Sequence, residues 1–264
     1  MQRSYFATIR LCGGLLCAGV FLGLANPQPA AAYRCDTPWG TDHCYGTARW
    51  AEHPEYFGAY TDITQVEMSC RWDHRCDGFI DNEIWLTDTR STGCQELEHS
   101  CWVETGTTLN WNYQNATLFW AYATPGTGDT FVFHPFGNAD VPGTVDHFMI
   151  LKDGRANATG TYQVWVYNDS HTTLYHATVS NPMTADRVTI GQELSGNRGA
   201  SADVAHFTRN IWAVRPLGPE NVFWYNRQTG DGLVTSRDPP FASWLVSPFN
   251  SSLEGGDFKT SCCG

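Results

Sequence analysis

The chain has 264 residues, 16 basic against 27 acidic, a formal net charge of −11, 10 cysteines, 11 tryptophans and a 14% aromatic fraction. So much aromatic surface, with only 16% charged residues, excludes a disordered chain. The acidic balance, with Lys152 and Lys259 the only lysines, excludes a polybasic face for nucleic acid or an anionic membrane.

The first 32 residues read as a secretory signal peptide. Arg3 and Arg10 precede the apolar stretch Leu11–Ala25, and the small residues Ala30, Ala31 and Ala32 follow. No later apolar run approaches the roughly 20 residues that a transmembrane helix needs. Cleavage after Ala32 leaves 14 basic residues against 27 acidic ones, a charge of −13, on a secreted, extracellular protein with no membrane partner. It also removes Cys12 and Cys17. The remaining cysteines are Cys35, Cys44, Cys70, Cys76, Cys94, Cys101, Cys262 and Cys263, an even set in an oxidising compartment. Short separations favour Cys35–Cys44, Cys70–Cys76 and Cys94–Cys101. Cys262 and Cys263 are neighbours, and a bond between them would be strained. The spacings are not those of a zinc knuckle.

Beyond the signal no stretch sustains a helical period. Short β-favouring runs separated by Gly, Pro, Asn and Asp predict strands at Phe57–Met68, Gly78–Thr87, Cys101–Leu109, Ala116–Thr124 and Thr130–Pro135. Others follow at Val145–Lys152, Thr161–Asn168, Thr173–Val179, Arg187–Ser195 and Val204–Val214. This spacing predicts an all-β antiparallel sandwich or jelly roll over residues 33–215. Residues 216–264, rich in Pro, Gly and aromatics, are expected to form an irregular C-terminal extension on the sandwich.

The sequence contains no zinc-protease helix motif, nucleophile elbow, phosphate loop or dinucleotide fingerprint. No metal and no cofactor is expected. Carboxylates inside strands are more informative. In Cys101–Leu109, alternation sets Trp102, Glu104, Gly106 and Thr108 on the face opposite Cys101, Val103 and Leu109. In Arg187–Ser195 it sets Thr189, Gly191, Glu193 and Ser195 opposite Val188, Ile190, Gln192 and Leu194. Each strand thus offers a core face and a second face with one Glu beside Gly and Thr. Were both on one concave sheet, Glu104 and Glu193 would meet in a groove floored by aromatics such as Trp120 and Tyr122, or Trp165 and Tyr167. Two carboxyls held close repel, so one keeps its proton and the pair supplies an acid and a base. Glu67 and Glu83 also sit in strand-like segments, so periodicity alone does not select the pair.

Motif order does. Tyr56-Phe-Gly-Ala-Tyr-Thr-Asp-Ile63 resembles the opening strand of the neprosin family. Glu83-Ile-Trp-Leu86, Trp102-Val-Glu-Thr-Gly106, Leu118-Phe-Trp-Ala-Tyr122 and Ile190-Gly-Gln-Glu193 resemble later neprosin motifs in the same order. Thr105, Thr107 and Gln192 stand where the family has Ala, Trp and Gly. The resemblance implies a concanavalin-type sandwich, kinship with the glutamic peptidases, and a secreted, metal-independent endopeptidase best in acid. It also implies Glu104 and Glu193 as catalytic residues. Trp102, Trp120, Tyr122 and Gln192 are the expected substrate-binding neighbours, a polypeptide the substrate, and a monomer the expected state. Two other readings stand beside it: a non-catalytic module that binds glycan or cell-wall polymer on the same aromatic face, and a glycoside hydrolase using the glutamates. Against the hydrolase, Glu83 to Asp88 lacks the alternating carboxylates of concanavalin-type hydrolases.

Overall fold

A computed structural model describes residues 43–51, 55–70, 78–94, 101–110, 115–125, 131–154, 160–195, 200–218, 221–225, 234–238, 244–248, 250 and 256–262. All belong to the unit Ala32–Gly264, one of two into which the chain divides. The expected signal peptide, Cys35, Cys76 and Cys263 lie outside the described residues, as do the side chains of Cys70 and Cys262.

Every regular element among the described residues is a strand. In chain order these are β1 (His43–Trp50), β2 (Gly58–Thr64), β3 (Met68–Cys70), β4 (Phe79–Asp88), β5 (Cys101–Asn110), β6 (Thr117–Ala123), β7 (Val132–Asn138), β8 (Val145–Lys152), β9 (Thr161–Tyr167), β10 (Thr173–Ser180), β11 (Arg187–Ser195), β12 (Ala200–Gly218), β13 (Asn221–Tyr225), β14 (Val234–Asp238), β15 (Trp244–Val246) and β16 (Asp257–Cys262). A seven-stranded sheet runs β14-β1-β11-β4-β5-β6-β7. A nine-stranded sheet runs β10-β9-β8-β2-β12-β16-β15, with β13 and β3 also paired to β12. All pairings are antiparallel. The protein is the all-β sandwich that its strand spacing predicts.

Period-two alternation builds the core between the sheets. In β9, Tyr162, Val164 and Val166 are buried while Gln163, Trp165 and Tyr167 alternate outward. The seven-stranded sheet sends in Ala48, Trp50, Ile84, Leu86, Val103, Val188 and Ile190. The other sheet answers with Ile63, Phe148, Ile150, Val164, Phe207 and Trp212. Trp50 and Trp212, each 0% exposed, join the layers with ring centroids 5.3 Å apart. Fully burying a large apolar side chain stabilises the fold by about 1.5–3 kcal/mol.

Three sequence expectations need correction. Strand β1 is not predicted because its inward residues are Cys44, Gly46, Ala48 and Trp50, mostly too small to give a hydrophobic alternation. The run Phe57–Met68 divides into β2 and β3. It breaks at Gln65, whose N–H donates to the Thr144 carbonyl and whose carbonyl accepts from the Gly143 N–H, both at 2.8 Å. The stretch beyond residue 216 is not an irregular wrapping. Its short strands add β14 to the edge of one sheet and set β16 between β12 and β15 in the other, and residue 215 falls inside β12. Cys94 and Cys101 form the expected bond just ahead of β5. Cys44 is also disulfide-bonded.

Candidate active site

Strand β4 lies in the middle of the seven-stranded sheet, and its neighbours' register assembles the site. Across β4 and β5, Trp85 pairs with Glu104, Glu83 with Gly106 and Asp81 with Thr108. Across β4 and β11, Glu83 pairs with Gly191 and Asp81 with Glu193. Directly paired residues share a face. Asp81, Glu83, Trp85, Trp102, Glu104 and Glu193 therefore occupy one face, opposite the one that supplies the core. Glu104 and Glu193 sit diagonally on either side of Glu83. Strand β1 adds Tyr45, paired with Glu193, and His43 beside it.

The glycines of Trp102-Val-Glu-Thr-Gly106 and Ile190-Gly-Gln-Glu193 have a definite task. Gly106 and Gly191 stand directly opposite Glu83 on its two neighbouring strands. A Cβ on Gly106 would overlap the Asn82 carbonyl oxygen and lie 2.6 Å from the Cβ of Glu83. On Gly191 it would overlap the Gly46 carbonyl oxygen and lie 2.7 Å from the Thr47 Cα. Glycine at 106 lets β5 close on the strand of Glu83, and glycine at 191 lets β1 close on β11.

Burial and crowding hold protons on this face. Burial pushes the Glu104 carboxyl well above its ordinary range; the charges of Glu193 and Asp81 add to this, and a hydrogen bond from the Trp85 ring N–H opposes it. Glu83, 0% exposed, is raised by burial and then by Glu104, Asp81 and Glu193. Asp81 is raised chiefly by burial, against a hydrogen bond from the Thr108 hydroxyl. Glu193 is differently placed. It accepts hydrogen bonds from the His43 ring nitrogen Nδ1 and from the Tyr45 hydroxyl. Burial and the Glu193 charge raise Tyr45, so that phenol stays a donor. The face thus carries, at Glu104, a carboxyl that burial holds well above its ordinary range and, at Glu193, a carboxyl supplied with donors.

Aromatic rings border these groups. Tyr45 meets Trp85 edge-on at 6.3 Å, and His43 meets Phe79 at 5.6 Å. On the other side Trp102 lies 5.9 Å from the exposed Phe131, and Phe119 stacks on Phe133 at 5.1 Å.

The sequence-predicted residues divide between the two faces. Glu104, Glu193 and Trp102 share the outer face. Trp120 and Tyr122 do not, because Thr105 pairs with Trp120 and Val103 with Tyr122. Both turn to the face that supplies the core, where Trp120 is a core residue and stacks on Tyr122 and His134 at 5.8 and 4.1 Å. Gln192 also points inward, 0% exposed, with its Oε1 accepting from the Thr260 hydroxyl at 2.5 Å. It ties the sheets together and reaches no substrate groove. The strand that carries Trp120 and Tyr122 is legible in the sequence, but the face that meets Glu104 is set by register, which the sequence does not show. Trp165 and Tyr167 lie on β9 in the other sheet, and Glu67 is exposed between β2 and β3. His43 and Tyr45 were missed with β1, and Asp81, Glu83 and Trp85 were legible only as alternate residues of a predicted strand.

The fold has solved counterparts. Scytalido-glutamic peptidase, in a crystal structure with a peptide based transition state analog, matches with a TM-score of 0.55 at 11% identity, over 84% of this chain and 100% of that one. A structure of scytalido-glutamic peptidase with a transition state analog inhibitor matches at 0.56 and 8% identity over the same shares. No family model and no curated protein sequence matches the chain. At such identities the likeness is one of fold: this β-sandwich resembles that of a glutamic peptidase.

Proposed function

We propose that the protein is a secreted, metal-independent endopeptidase of glutamic type, akin to the neprosin family, with Glu104 and Glu193 as its catalytic pair. The observation that carries this reading is the shared face: two strands apart, both glutamates flank the same central position of β4. Glu193, with donors at His43 and Tyr45, serves as the general base and takes a proton from the attacking water. Glu104, which keeps its proton through burial and the Glu193 charge, donates to the carbonyl oxygen as the tetrahedral intermediate forms. On collapse the C–N bond breaks, Glu193 passes its proton to the leaving amine, and Glu104 recovers one from the intermediate's hydroxyl. The water is consumed and both carboxyls return to their starting states. Trp102 is the substrate-binding aromatic that remains on this face.

Glycan binding is the weaker reading, since Trp120 and Tyr122 face the interior and leave the aromatic platform incomplete. The two separate in one experiment: incubation of the purified protein with an unfolded polypeptide from acidic to neutral pH, beside binding to soluble polysaccharides. Fragments that appear best in acid, undiminished by a chelator, support the peptidase. A folded protein that cleaves nothing and binds a polysaccharide overturns it.

A further inference from the structure

Glu83 has no part in the chemistry just described, yet it occupies the centre of the site. It is 0% exposed, so it cannot touch a substrate. Glycines stand opposite it on both neighbouring strands, and neither tolerates a Cβ. Neither of its carboxyl oxygens receives a hydrogen bond from any described donor. A buried ionised carboxylate with no donor costs several kcal/mol, so the neutral acid is the form that fits. The groups around it are Asp81 and Trp85 on its own strand, Glu104 and Thr108 on β5, Glu193 on β11, and Tyr45 on β1. No Lys or Arg is among them. Glu193 lies diagonally across from Glu83 on β11, two residues beyond Gly191, and it already collects donors from His43 and Tyr45.

We propose that Glu83 is a positioning residue of the pair, a buried neutral carboxyl whose O–H is directed at Glu193 and fixes that group's orientation. This rests on the peptidase reading for its consequence in catalysis, but not for its structural content. A hydrophobic residue would fill the same space at less cost in desolvation; a glutamate offers a donor where the base needs one. With Glu83 neutral, the site carries one negative charge fewer beside Glu104 and Glu193.

The test combines a spectroscopic and a kinetic reading. In infrared spectra near neutral pH, wild type minus Glu83→Gln is expected to contain a protonated-carboxyl band. In a Glu193→Gln background the same difference band shifts, because its acceptor has changed. In peptide hydrolysis, Glu83→Leu is expected to lower kcat by about tenfold or more at nearly constant KM. It also moves the acid limb of the pH profile upward, since Glu193 has lost a donor. Glu83→Gln, whose amide still donates, restores most of that loss and returns the limb toward its wild-type place. Should Glu83→Leu not fold, Glu83→Met carries the kinetic comparison. The proposal is overturned by absence of the band, by a band indifferent to Glu193→Gln, or by Gln and Leu variants that behave alike. If wild type hydrolyses nothing, the peptidase reading fails while the infrared bands still decide how Glu83 is held.

Discussion

At the scale of single residues, the site depends on what two strands leave out. Gly106 lets β5 approach β4 where Glu83 sits, and Gly191, opposite Glu83 on β11, lets β1 approach β11. Gly106→Ala drives a methyl group into the Asn82 backbone, and overpacking of this kind costs about 1–3 kcal/mol. The expected outcome is a lower denaturant midpoint and a larger loss of hydrolysis than stability alone explains, because the carboxyls move apart. Gln192 and Trp102 offer a contrast. Gln192→Ala leaves the Thr260 hydroxyl without its acceptor in the interior, costing about 1–3 kcal/mol in a chemical unfolding curve while KM holds. Trp102→Ala, on the outer face beside Phe131, is expected to raise KM with little change in unfolding midpoint. Reversal of that pattern would return Gln192 to the groove and remove Trp102 from it.

At the scale of elements, the C-terminal strands are structural members of the sandwich. Strand β16 lies between β12 and β15, and its Phe258 stacks on Phe207 at 5.0 Å inside the core. Removing residues 244–264 uncovers an edge of the long β12 and takes an aromatic from the interior. The truncated chain is expected to lose cooperative thermal unfolding; a truncated form that melts like the full chain would make the tail an appendage. Much of this architecture was legible in the sequence, and what escaped has a physical pattern. Strands with bulky alternation, such as Tyr162-Gln-Val-Trp-Val-Tyr167, announce themselves. Strand β1 does not, since Gly46 and Ala48 stand where large residues would, and with it went His43 and Tyr45. The strands after residue 216 are short and bounded by Pro and Gly, which reads locally as loop although the sheets pair them. Glu104 and Glu193 were singled out by the order of the motifs that carry them, since alternation alone places Glu67 and Glu83 in strand-like segments as well. The central Glu83 was not, because nothing local tells which strand will lie between the other two.

At the scale of the molecule, buried acids link stability to pH. Burial and then the charge of Asp140 push Asp146 up to about 7, and Glu83, Glu104 and Asp81 are raised as well. An acid raised on folding holds its proton in the native state at a pH where the unfolded chain has lost it. Its stabilising share is full below the unfolded carboxyl range of about 4 and is lost as pH rises through the native value. Asp88 works the other way. Against the effect of burial, hydrogen bonds from Ser91, Thr184 and Arg90 lower it, so its share fades as pH falls through its native value. The melting temperature is therefore expected to peak in mild acid and decline toward neutrality, where the excess of 27 acidic over 16 basic residues adds repulsion. Asp146→Asn should flatten that decline; a melting temperature that climbs steadily to neutral pH would contradict the assignment of these groups as neutral acids.

The optimum of folding and the expected optimum of hydrolysis then coincide, both set by carboxyls that must keep protons. The most direct test of the catalytic assignment is the initial rate of cleavage of an unfolded polypeptide at acidic pH by wild type, Glu104→Gln and Glu193→Gln, with folding of each confirmed. General acid–base groups contribute about 10²–10⁴-fold, so each variant is expected to fall by at least about a hundredfold. Variants that cleave at the wild-type rate would show that the chemistry lies elsewhere than on this face.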